Sequence, residues 1–328
     1  FLARGLPLSA WWMDAGWYKH NGDWTNTGTW AADPQRFPRG LRPISDHAHK
    51  KGLKTIVWFE PERVTPDTLL YEQHAEWLLQ STDLPADVAY QSKWRLLDLG
   101  HTEAREWVTN HVSRMIREEG IDVYRQDFNI HPLYFWRGRD EIDRQGITEN
   151  HYVTGYLAFW DELRRRHPHL LIDSCATGGR RNDLETMRRS VPLWRSDYAY
   201  DPVGGQCQTY GMALWYPYFG TGIVSHNDLS PYMYRSNMSP HAISSIDLKL
   251  AESEQLARLS EEWSTIAPHF IGDYYPLTPY SLKQDVTMAW QFHLIDGQGV
   301  VQAFRRKDCS TSQLRLKLQG LEPTATYA

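Results

Sequence analysis

The chain has 328 residues, and 35 Lys and Arg against 40 Asp and Glu give it a net charge of -5. That balance argues against the basic surface with which proteins bind nucleic acid or anionic membranes. Three cysteines are too few for a disulfide framework or a paired-cysteine zinc site. No apolar run approaches the ~18 residues of a membrane span. The 15 Trp and 18 Tyr fit either a large aromatic core or sugar binding, since aromatic faces stack on sugar rings.

The first part of the chain alternates apolar, strand-like runs with helical patterns. Gly52 and Gly120 follow the last periodic residues of two helices and predict their ends. Several predicted strands begin apolar and end polar, and the third has Arg95 at its start and Asp98 near its end. The predicted strands are Leu8–Asp14, Leu53–Glu60, Trp94–Leu99, Ile121–Asn129, Leu170–Cys175 and Val191–Asp197, and the predicted helices are Pro43–Lys51, Thr65–Gln80, Thr102–Glu119, Thr148–His167 and Asp183–Ser190.

The later part of the chain has weaker strand patterns, and strand-like segments without helices follow them. Met212–Tyr218 and Ala242–Ile246 are predicted strands, and Glu252–Ile266 is a predicted amphipathic helix. From about residue 284 three segments alternate at period two, with a turn at Asp296-Gly297 between the first two: Val286–Phe292, Gly299–Phe304 and Gln313–Leu318. The pattern predicts an α/β fold, a (β/α)8 TIM barrel over residues 1–280 followed by a truncated antiparallel β-sandwich domain over residues 281–328.

Five predicted strands carry, at or near their C-terminal ends, a residue that can do chemistry: Asp14, Glu60, Asp127, Cys175 and Asp197. In a barrel the carboxyl ends of the strands converge on one face. Two carboxylates there suit glycoside hydrolysis, in which one attacks or activates water and the other protonates the departing oxygen. The alternative is structural, because an Asp at a strand end commonly caps the next helix. Trp12, Trp17, Trp58 and Trp194 lie close in sequence to these acids and favour a sugar site.

Other kinds of site have weaker support in the sequence. Histidine pairs at His47/His49 and His167/His169, and His226 near Asp228, could bind a metal, but none follows a clear strand. A serine triad has no Gly-x-Ser-x-Gly elbow, and Cys175 as a nucleophile has no nearby activating histidine. Gly178-Gly179 lacks the Lys-Ser/Thr of a phosphate loop, so we expect a tight turn that brings backbone N–H groups up to a ligand.

Seven motifs together resemble those of glycoside hydrolase family 36, the melibiase-type α-galactosidases, and they occur in the same order. The resemblance covers nearly the whole chain. The motifs are Met13-Asp14-Ala15-Gly16-Trp17, Gly22-Asp23-Trp24, Phe37-Pro38-Arg39-Gly40-Leu41, Trp58-Phe59-Glu60-Pro61-Glu62, Arg125-Gln126-Asp127-Phe128-Asn129, Asp173-Ser174-Cys175-Ala176-Thr177-Gly178-Gly179-Arg180 and Trp194-Arg195-Ser196-Asp197.

The resemblance implies a retaining α-glycosidase that acts through a covalent glycosyl-enzyme and needs no cofactor or metal. Asp127 is similar to the family nucleophile and Asp197 to the general acid/base, protonated at rest. The implied sugar-binding set is Asp14, Trp58, Arg95, Arg125, Asn129, Cys175, Gly178 and Trp194. The family barrel follows a large N-terminal β-sandwich. Since Phe1-Leu2-Ala3-Arg4 reads like a chain already under way, we expect that domain to lie outside this chain.

Three positions depart from the family pattern. Ala15 stands where a second acid is usual, Arg125 where a Lys is usual, and the glycine run is shortened to Gly178-Gly179. Each departure concerns substrate hydroxyls, and Arg is not equivalent to Lys at such a site. We therefore expect catalysis to be retained and the glycone preference to have moved, toward N-acetylgalactosamine, galactosamine or another galactose-configured sugar modified at C2 or C6.

Alternatives stay open on the reaction and the partners. A transglycosylase would use the same scaffold, and a non-hydrolytic carbohydrate-binding barrel is the runner-up from another class. The expected partner is an oligosaccharide or glycoconjugate, with no nucleic acid and no membrane. Family members are often oligomeric, so a homo-oligomer also stays open. The sequence does not determine the compartment.

Overall fold

A four-stranded parallel sheet organises the first half of the chain. The structure, a computed structural model, describes residues 1–81, 83–199, 201–216, 218–224, 230–246 and 253–326. The chain divides into a first unit, Ser9–Val191, and a second unit, Phe1–Leu8 with Pro192–Ala328. Within the described ranges, no helix is both long and apolar enough to cross a membrane.

The described residues of the first unit form seven strands and six α-helices. Its strands are β1 (Ala10–Met13), β2 (Lys54–Phe59), β3 (Arg63–Val64), β4 (Leu78–Leu79), β5 (Arg95–Leu97), β6 (Val123–Gln126) and β7 (Leu171–Ser174). Its helices are α1 (Arg42–Lys50), α2 (Leu69–Gln73), α3 (Thr102–Glu119), α4 (Leu133–Arg139), α5 (Ile147–Arg166) and α6 (Leu184–Met187).

The parallel sheet has the order β1-β2-β6-β7, so consecutive strands of the predicted barrel lie side by side. Strand β2 is apolar and β-branched along most of its length and buried after its first residue, as expected for a parallel strand covered on both faces. The register pairs Trp58 with Arg125 and Arg125 with Asp173. These three side chains therefore form one row on one face of the sheet.

Helices α1 and α3 end where the sequence predicts. Helix α3 stops at Gly120, whose φ of 68° is left-handed and whose N–H donates to the Ile116 carbonyl. Gly52, with a φ of 73°, follows α1 in the same way. Helices α3 and α5 pack against each other on the sheet. At both glycines the chain therefore leaves the helix and enters the next strand within a few residues.

Helix α5 approaches the loop between β5 and α3 so closely that Gly155 has no room for a side chain. A Cβ there would overlap the carbonyl oxygen of Leu99. We expect Gly155→Ala to lower the free energy of unfolding by about 1–3 kcal/mol, because backbone must shift to admit the methyl group. Gly211→Ala is the control, since that helical glycine has open space around it and Ala favours helix. Urea denaturation of both variants measures the difference, and equal stabilities would contradict this packing.

In the region after β2 one predicted helix is wrong, and one predicted strand forms but joins another sheet. The helix predicted over Thr65–Gln80 is reduced to α2, and the chain then forms strand β4. The predicted third barrel strand forms β5, which pairs antiparallel with β3 and β4 in a separate three-stranded sheet. Burial of Leu79 opposite Leu96 in that small sheet stabilises an extended chain where local propensity favours helix.

The predicted sixth strand, Val191–Asp197, does not form. Val191 makes one isolated parallel bridge to Asp173, and Pro192 then interrupts the ladder because it has no N–H to donate. The helix predicted over Asp183–Ser190 is the shorter α6, whose first turn is capped by the Asp183 carboxylate accepting from the Thr186 N–H at 3.0 Å.

The described residues of the second unit form three α-helices, two strands that pair in parallel, and then a three-stranded antiparallel sheet. Its elements are α7 (Pro202–Met212), β8 (Gly220–Val224), α8 (Pro231–Ser236), β9 (His241–Ser245), α9 (Ser253–Ile266), β10 (Asp273–Pro276), β11 (Thr287–His293) and β12 (Gly299–Arg305). Strands β8 and β9 pair in parallel, and β10-β11-β12 pair antiparallel. Met288, Trp290 and Phe292 alternate along β11 and join a buried apolar cluster with Phe304 of β12.

Several predictions for this unit need correction. The strand predicted over Met212–Tyr218 is wrong, because α7 runs to Met212 and the strand begins at Gly220; residue 217 lies outside the described residues. Gln313–Leu318 forms no strand. Strand β9 and helix α9 confirm two others, although Glu252 lies outside the described residues. The hairpin turn at Asp296-Gly297 is also confirmed, with a Gly297 φ of 87°. The domain boundary near residue 280 stays a prediction.

Candidate active site

The residue that follows each strand of the parallel sheet carries a reactive side chain. Asp14 follows β1, Glu60 follows β2, Asp127 follows β6 and Cys175 follows β7. Because the four strands are parallel neighbours, these residues lie along one edge of the sheet. The sequence predicted this convergence for the four tips. The fifth tip, Asp197, belongs to the second unit.

Asp127 is held by hydrogen bonds to both carboxylate oxygens. Oδ2 accepts from the Trp58 indole N–H at 3.1 Å, and Oδ1 accepts from the backbone N–H groups of Phe128 at 2.7 Å and Thr177 at 3.3 Å. Its own N–H donates to the Phe59 carbonyl at 2.8 Å. The carboxylate is therefore oriented from strand β2, from its own loop and from the loop after β7.

The surroundings keep Asp127 ionised. Burial by itself would raise the pKa of this carboxyl. The Arg125 guanidinium, and hydrogen bonds from Asn129 and the Phe128 backbone, outweigh burial and lower the pKa below its ordinary value. An anionic, oriented carboxylate is the form that a nucleophile needs.

Arg125 is buried and committed to Asp173. Its Nη1 donates to Asp173 Oδ2 at 2.6 Å, and its Nε lies 3.9 Å from Asp14 Oδ2. The guanidinium also lies over the Trp12 ring, 4.6 Å from its centroid. Among the described residues, Nε has no hydrogen-bond partner. This Nε–H is therefore a buried, unpaired donor close to Asp14.

Asp14 is the most exposed acid of this group. Its side chain is 63% exposed, and its oxygens accept from the Trp12 indole N–H at 2.8 Å and the Ala15 N–H at 2.9 Å. It lies next to Arg125 without a close ion pair. An exposed, oriented carboxylate can accept hydrogen bonds from the hydroxyl groups of a bound molecule.

The loop after β7 forms the tight turn that the sequence predicts. Thr177, Gly178 and Gly179 have φ of 46°, 75° and 140°, and the two glycines adopt the left-handed backbone without strain. The Thr177 hydroxyl donates to Asn129 Oδ1 at 3.1 Å, which ties this turn to the Asp127 loop. Burial raises the pKa of the Cys175 thiol well above its ordinary value, so this thiol stays protonated and is a poor nucleophile.

Trp58 is fully buried and lies among other aromatic rings, including a stacked Tyr18 at 6.0 Å. In this structure Trp58 donates its indole N–H to Asp127, and its buried ring offers no open face on which a sugar could stack. Arg95 is not brought into this cluster. Its guanidinium lies over Tyr71 and lines a separate cavity of about 430 Å³ with Arg139.

In the second unit, Asp197 is exposed and accepts from the Trp194 indole N–H at 2.9 Å through Oδ1. Trp194 packs directly over Gly222 of β8, where a Cβ would overlap the indole. The indole thus fixes one carboxylate oxygen of Asp197. This pairing was not predicted, although both residues were.

The structure offers no metal centre within its described part, since no three His, Cys, Asp or Glu side chains there come together as ligands. His226 and Asp228, one of the metal alternatives, lie outside the described residues. Sequence reasoning missed Asp173 as a site residue. An acid inside an apolar, buried strand was the available signal.

The fold and this edge define the class, an α/β protein with carboxylates gathered at the carboxyl ends of parallel strands. The Melibiase family model matches residues 3–242, nearly three quarters of the chain, so the chain belongs to the melibiase family. This is the glycoside hydrolase family 36 type that the motifs predict, and the family is confirmed.

Relatives and solved structures agree with that membership. Alpha-galactosidase 1 of Pediococcus pentosaceus is 28% identical over 342 residues, covering 99% of this chain and 46% of the relative. The GH36 alpha-galactosidase AgaA of Geobacillus stearothermophilus, solved with stachyose, matches with a TM-score of 0.84 at 24% identity, over 98% of this chain and 46% of that one. An alpha-galactosidase of Lactobacillus brevis matches with a TM-score of 0.85 at 23% identity, over 98% of this chain and 45% of that one.

These likenesses establish the fold, a (β/α)8 barrel followed by an antiparallel β domain, and confirm the predicted class. The chain spans about half the length of the curated relatives it matches.

Proposed function

We propose that this chain is the catalytic part of a retaining α-glycosidase that hydrolyses terminal α-galactosides or a modified galactose-configured sugar. The observation that carries the proposal is Asp127, a carboxylate at a parallel strand end that is hydrogen-bonded at both oxygens and kept anionic. Family membership and the names of the relatives support the substrate class.

The proposed reaction has two displacements. Asp127 attacks the anomeric carbon as the glycosidic bond breaks, and Asp197 gives its proton to the departing oxygen. The product of this step is a glycosyl ester of Asp127. Asp197, now a carboxylate, takes a proton from water, which attacks the same carbon and releases the sugar and the Asp127 carboxylate.

Other residues would bind the sugar. Asp14 would accept hydrogen bonds from sugar hydroxyl groups, and the buried, unpaired Nε–H of Arg125 lies beside it; Asn129, Cys175 and Gly178 lie on the neighbouring loops. Trp58 and Trp194 act through the carboxylates that they orient, and Arg95 belongs to the proposed set on the family resemblance alone.

The glycone preference follows from Arg125 and Ala15. Ala15 supplies no second carboxylate, and Arg125 supplies an additional fixed donor beside Asp14. We therefore expect a sugar with an added acceptor, such as an N-acetyl group, to be turned over better than plain α-galactoside. A panel of aryl α-glycosides on the full-length protein measures kcat/KM for each glycone. A clear preference for unmodified galactose would contradict the shift.

The same panel tests the proposed function. Turnover of at least one galactose-configured aryl α-glycoside, with first release of the α-anomer, is the expected result. Stachyose, bound by the Geobacillus enzyme, is the first oligosaccharide to test. Products formed with added acceptor sugars distinguish transglycosylation. Sugar binding without turnover of any glycoside would overturn the hydrolase and favour a binding barrel.

A further inference from the structure

Two glutamates, Glu60 and Glu62, lie immediately after strand β2, with only Pro61 between them. Both side chains are fully buried in the first unit. Burying a carboxylate is costly unless it is paired and hydrogen-bonded, so their partners show what the two charges do. Each glutamate pairs with a different arginine, Glu60 with the buried Arg63 and Glu62 with the partly buried Arg181, and each also holds a neighbour of Asp127.

Glu60 holds the chain on the C-terminal side of Asp127. Its Oε1 accepts from the Asn129 backbone N–H, and its Oε2 accepts from the Asn129 amide at 3.2 Å. The Arg63 guanidinium lies 2.6 Å from Oε2 and between the rings of Trp24 and Trp94, whose centroids are 5.3 and 4.8 Å away. Glu60 is therefore paired with an arginine that two tryptophan rings hold in place.

Glu62 holds the chain on the N-terminal side of Asp127. Its Oε1 accepts from the Gln126 amide at 2.6 Å, and its Oε2 accepts from the Tyr152 hydroxyl. Arg181 forms a bidentate pair with the same carboxylate at 2.7 and 2.6 Å. That guanidinium lies 3.7 Å from the Phe128 ring centroid and 4.2 Å from that of Tyr156.

The two glutamates thus fix the residues on both sides of Asp127, while Asp127 itself receives the Trp58 N–H from the strand that precedes Glu60. Arg181 belongs to the same loop as Thr177, whose N–H reaches Asp127. The other atom of the Gln126 amide, its Oε1, accepts from the Tyr124 hydroxyl at 2.8 Å and the Trp160 indole N–H at 2.7 Å. The hydrogen bonds of Glu60, Glu62 and Thr177 therefore converge on the loop that contains Asp127.

We infer that Glu60 and Glu62 are positioning residues, which hold the Asp127 carboxylate at the angle and distance needed to attack the anomeric carbon. The inference rests on the proposed role of Asp127. The alternative is that the two ion pairs only stabilise the folded state. That alternative explains them less well, because apolar residues of similar volume often stabilise a core as much as a buried ion pair does.

The test compares three variants of the full-length protein on an aryl α-galactoside and on the preferred glycone. Glu62→Gln should lower kcat by roughly 10²-fold with KM almost unchanged, since a small misplacement affects the transition state most. Glu60→Gln should act in the same direction but more weakly, because burial raises the pKa of Glu60 to about 7 and part of the population is already neutral.

Asp161→Asn is the matched control. It breaks another bidentate pair of the first unit, in which Arg189 donates to Asp161 at 2.8 Å twice, away from the Asp127 loop. Its kcat should equal that of the unmodified protein. If Glu62→Gln folds poorly, Glu62→Gln combined with Arg181→Met removes both charges and should fold, yet keep the kcat defect.

Crystal structures of the variants supply a readout that needs no turnover. A displaced Asp127 carboxylate in Glu62→Gln supports the inference. An unmoved carboxylate, or a glutamine variant with unchanged kcat while Asp127→Ala is inactive, overturns it. Full activity of Asp127→Ala is a separate outcome, which overturns the proposed function and the positioning role with it.

Discussion

We expect the Asp127→Ala variant to lose at least about 10⁴-fold in kcat on every α-glycoside that the unmodified protein turns over, because removing a nucleophile removes the covalent route. The loss should be large since no other described carboxylate of the edge combines burial, ionisation and two-sided hydrogen bonding. Glu60 is buried and hydrogen-bonded at both oxygens, but burial raises its pKa to about 7, so it is only partly ionised, and Asp14 is mostly exposed.

Azide distinguishes loss of the nucleophile from loss of the fold. The Ala side chain leaves a space next to the Trp58 N–H and the Phe128 and Thr177 amides, which would then face a small anion. Azide should attack the anomeric carbon from that space and yield a β-glycosyl azide, restoring turnover of aryl substrates with good leaving groups. NMR of the product determines the anomer.

Asp127→Asn is the matched control for this experiment. The amide fills the same space, can still accept from Trp58 and leaves no room for azide. It should be as inactive as the Ala variant and should not be rescued. Activity close to that of the unmodified protein in either variant would end the assignment of Asp127, as would an α-azide product.

The edge that carries Asp127 was predictable because each part of its signal is local. An apolar run followed by an acid predicts a buried strand with a polar tip, and Asp14, Glu60, Asp127 and Cys175 all follow the strands that the pattern predicted. Parallel neighbours then bring the tips together without any further information.

Pairing partners were not predictable, because they depend on register between distant segments. Nothing near Arg125 indicates that Asp173, 48 residues later, takes its guanidinium. Likewise Glu62 and Arg181 are 119 residues apart and meet only in the folded chain. The Lys-to-Arg departure was visible in the sequence, but what holds that arginine was not.

The sheet that strand β5 joins could not be predicted for the same reason. Trp94–Leu99 has a good strand pattern, and β5 does form within it, but its partners are the two-residue strands β3 and β4, which have no pattern of their own. Tertiary packing decides which partners a short strand takes, so the sheet that it joins cannot be predicted from its own residues. Pro192 shows the opposite case, since its missing N–H was a local reason to doubt a strand there.

The second large effect concerns Asp197. We expect Asp197→Asn to lower kcat/KM by about 10²–10⁴-fold on an oligosaccharide, because the amide cannot protonate a sugar oxygen as it departs. On a dinitrophenyl glycoside the loss in kcat/KM should be far smaller, since that phenolate leaves without a proton. The ratio between the two substrates is therefore the measured quantity, rather than either rate alone.

Asp201→Asn is the matched control, because it tests the structural alternative for an acid in this segment. Asp201 caps helix α7, where its Oδ2 accepts from the Gly204 N–H at 2.7 Å, whereas the Asp197 carboxylate accepts from the Trp194 indole. The Asp201 variant should lose some stability and keep the same kcat/KM ratio between the two substrates. A leaving-group-dependent loss in Asp201→Asn, or equal losses on both substrates in Asp197→Asn, would transfer the acid/base role away from Asp197.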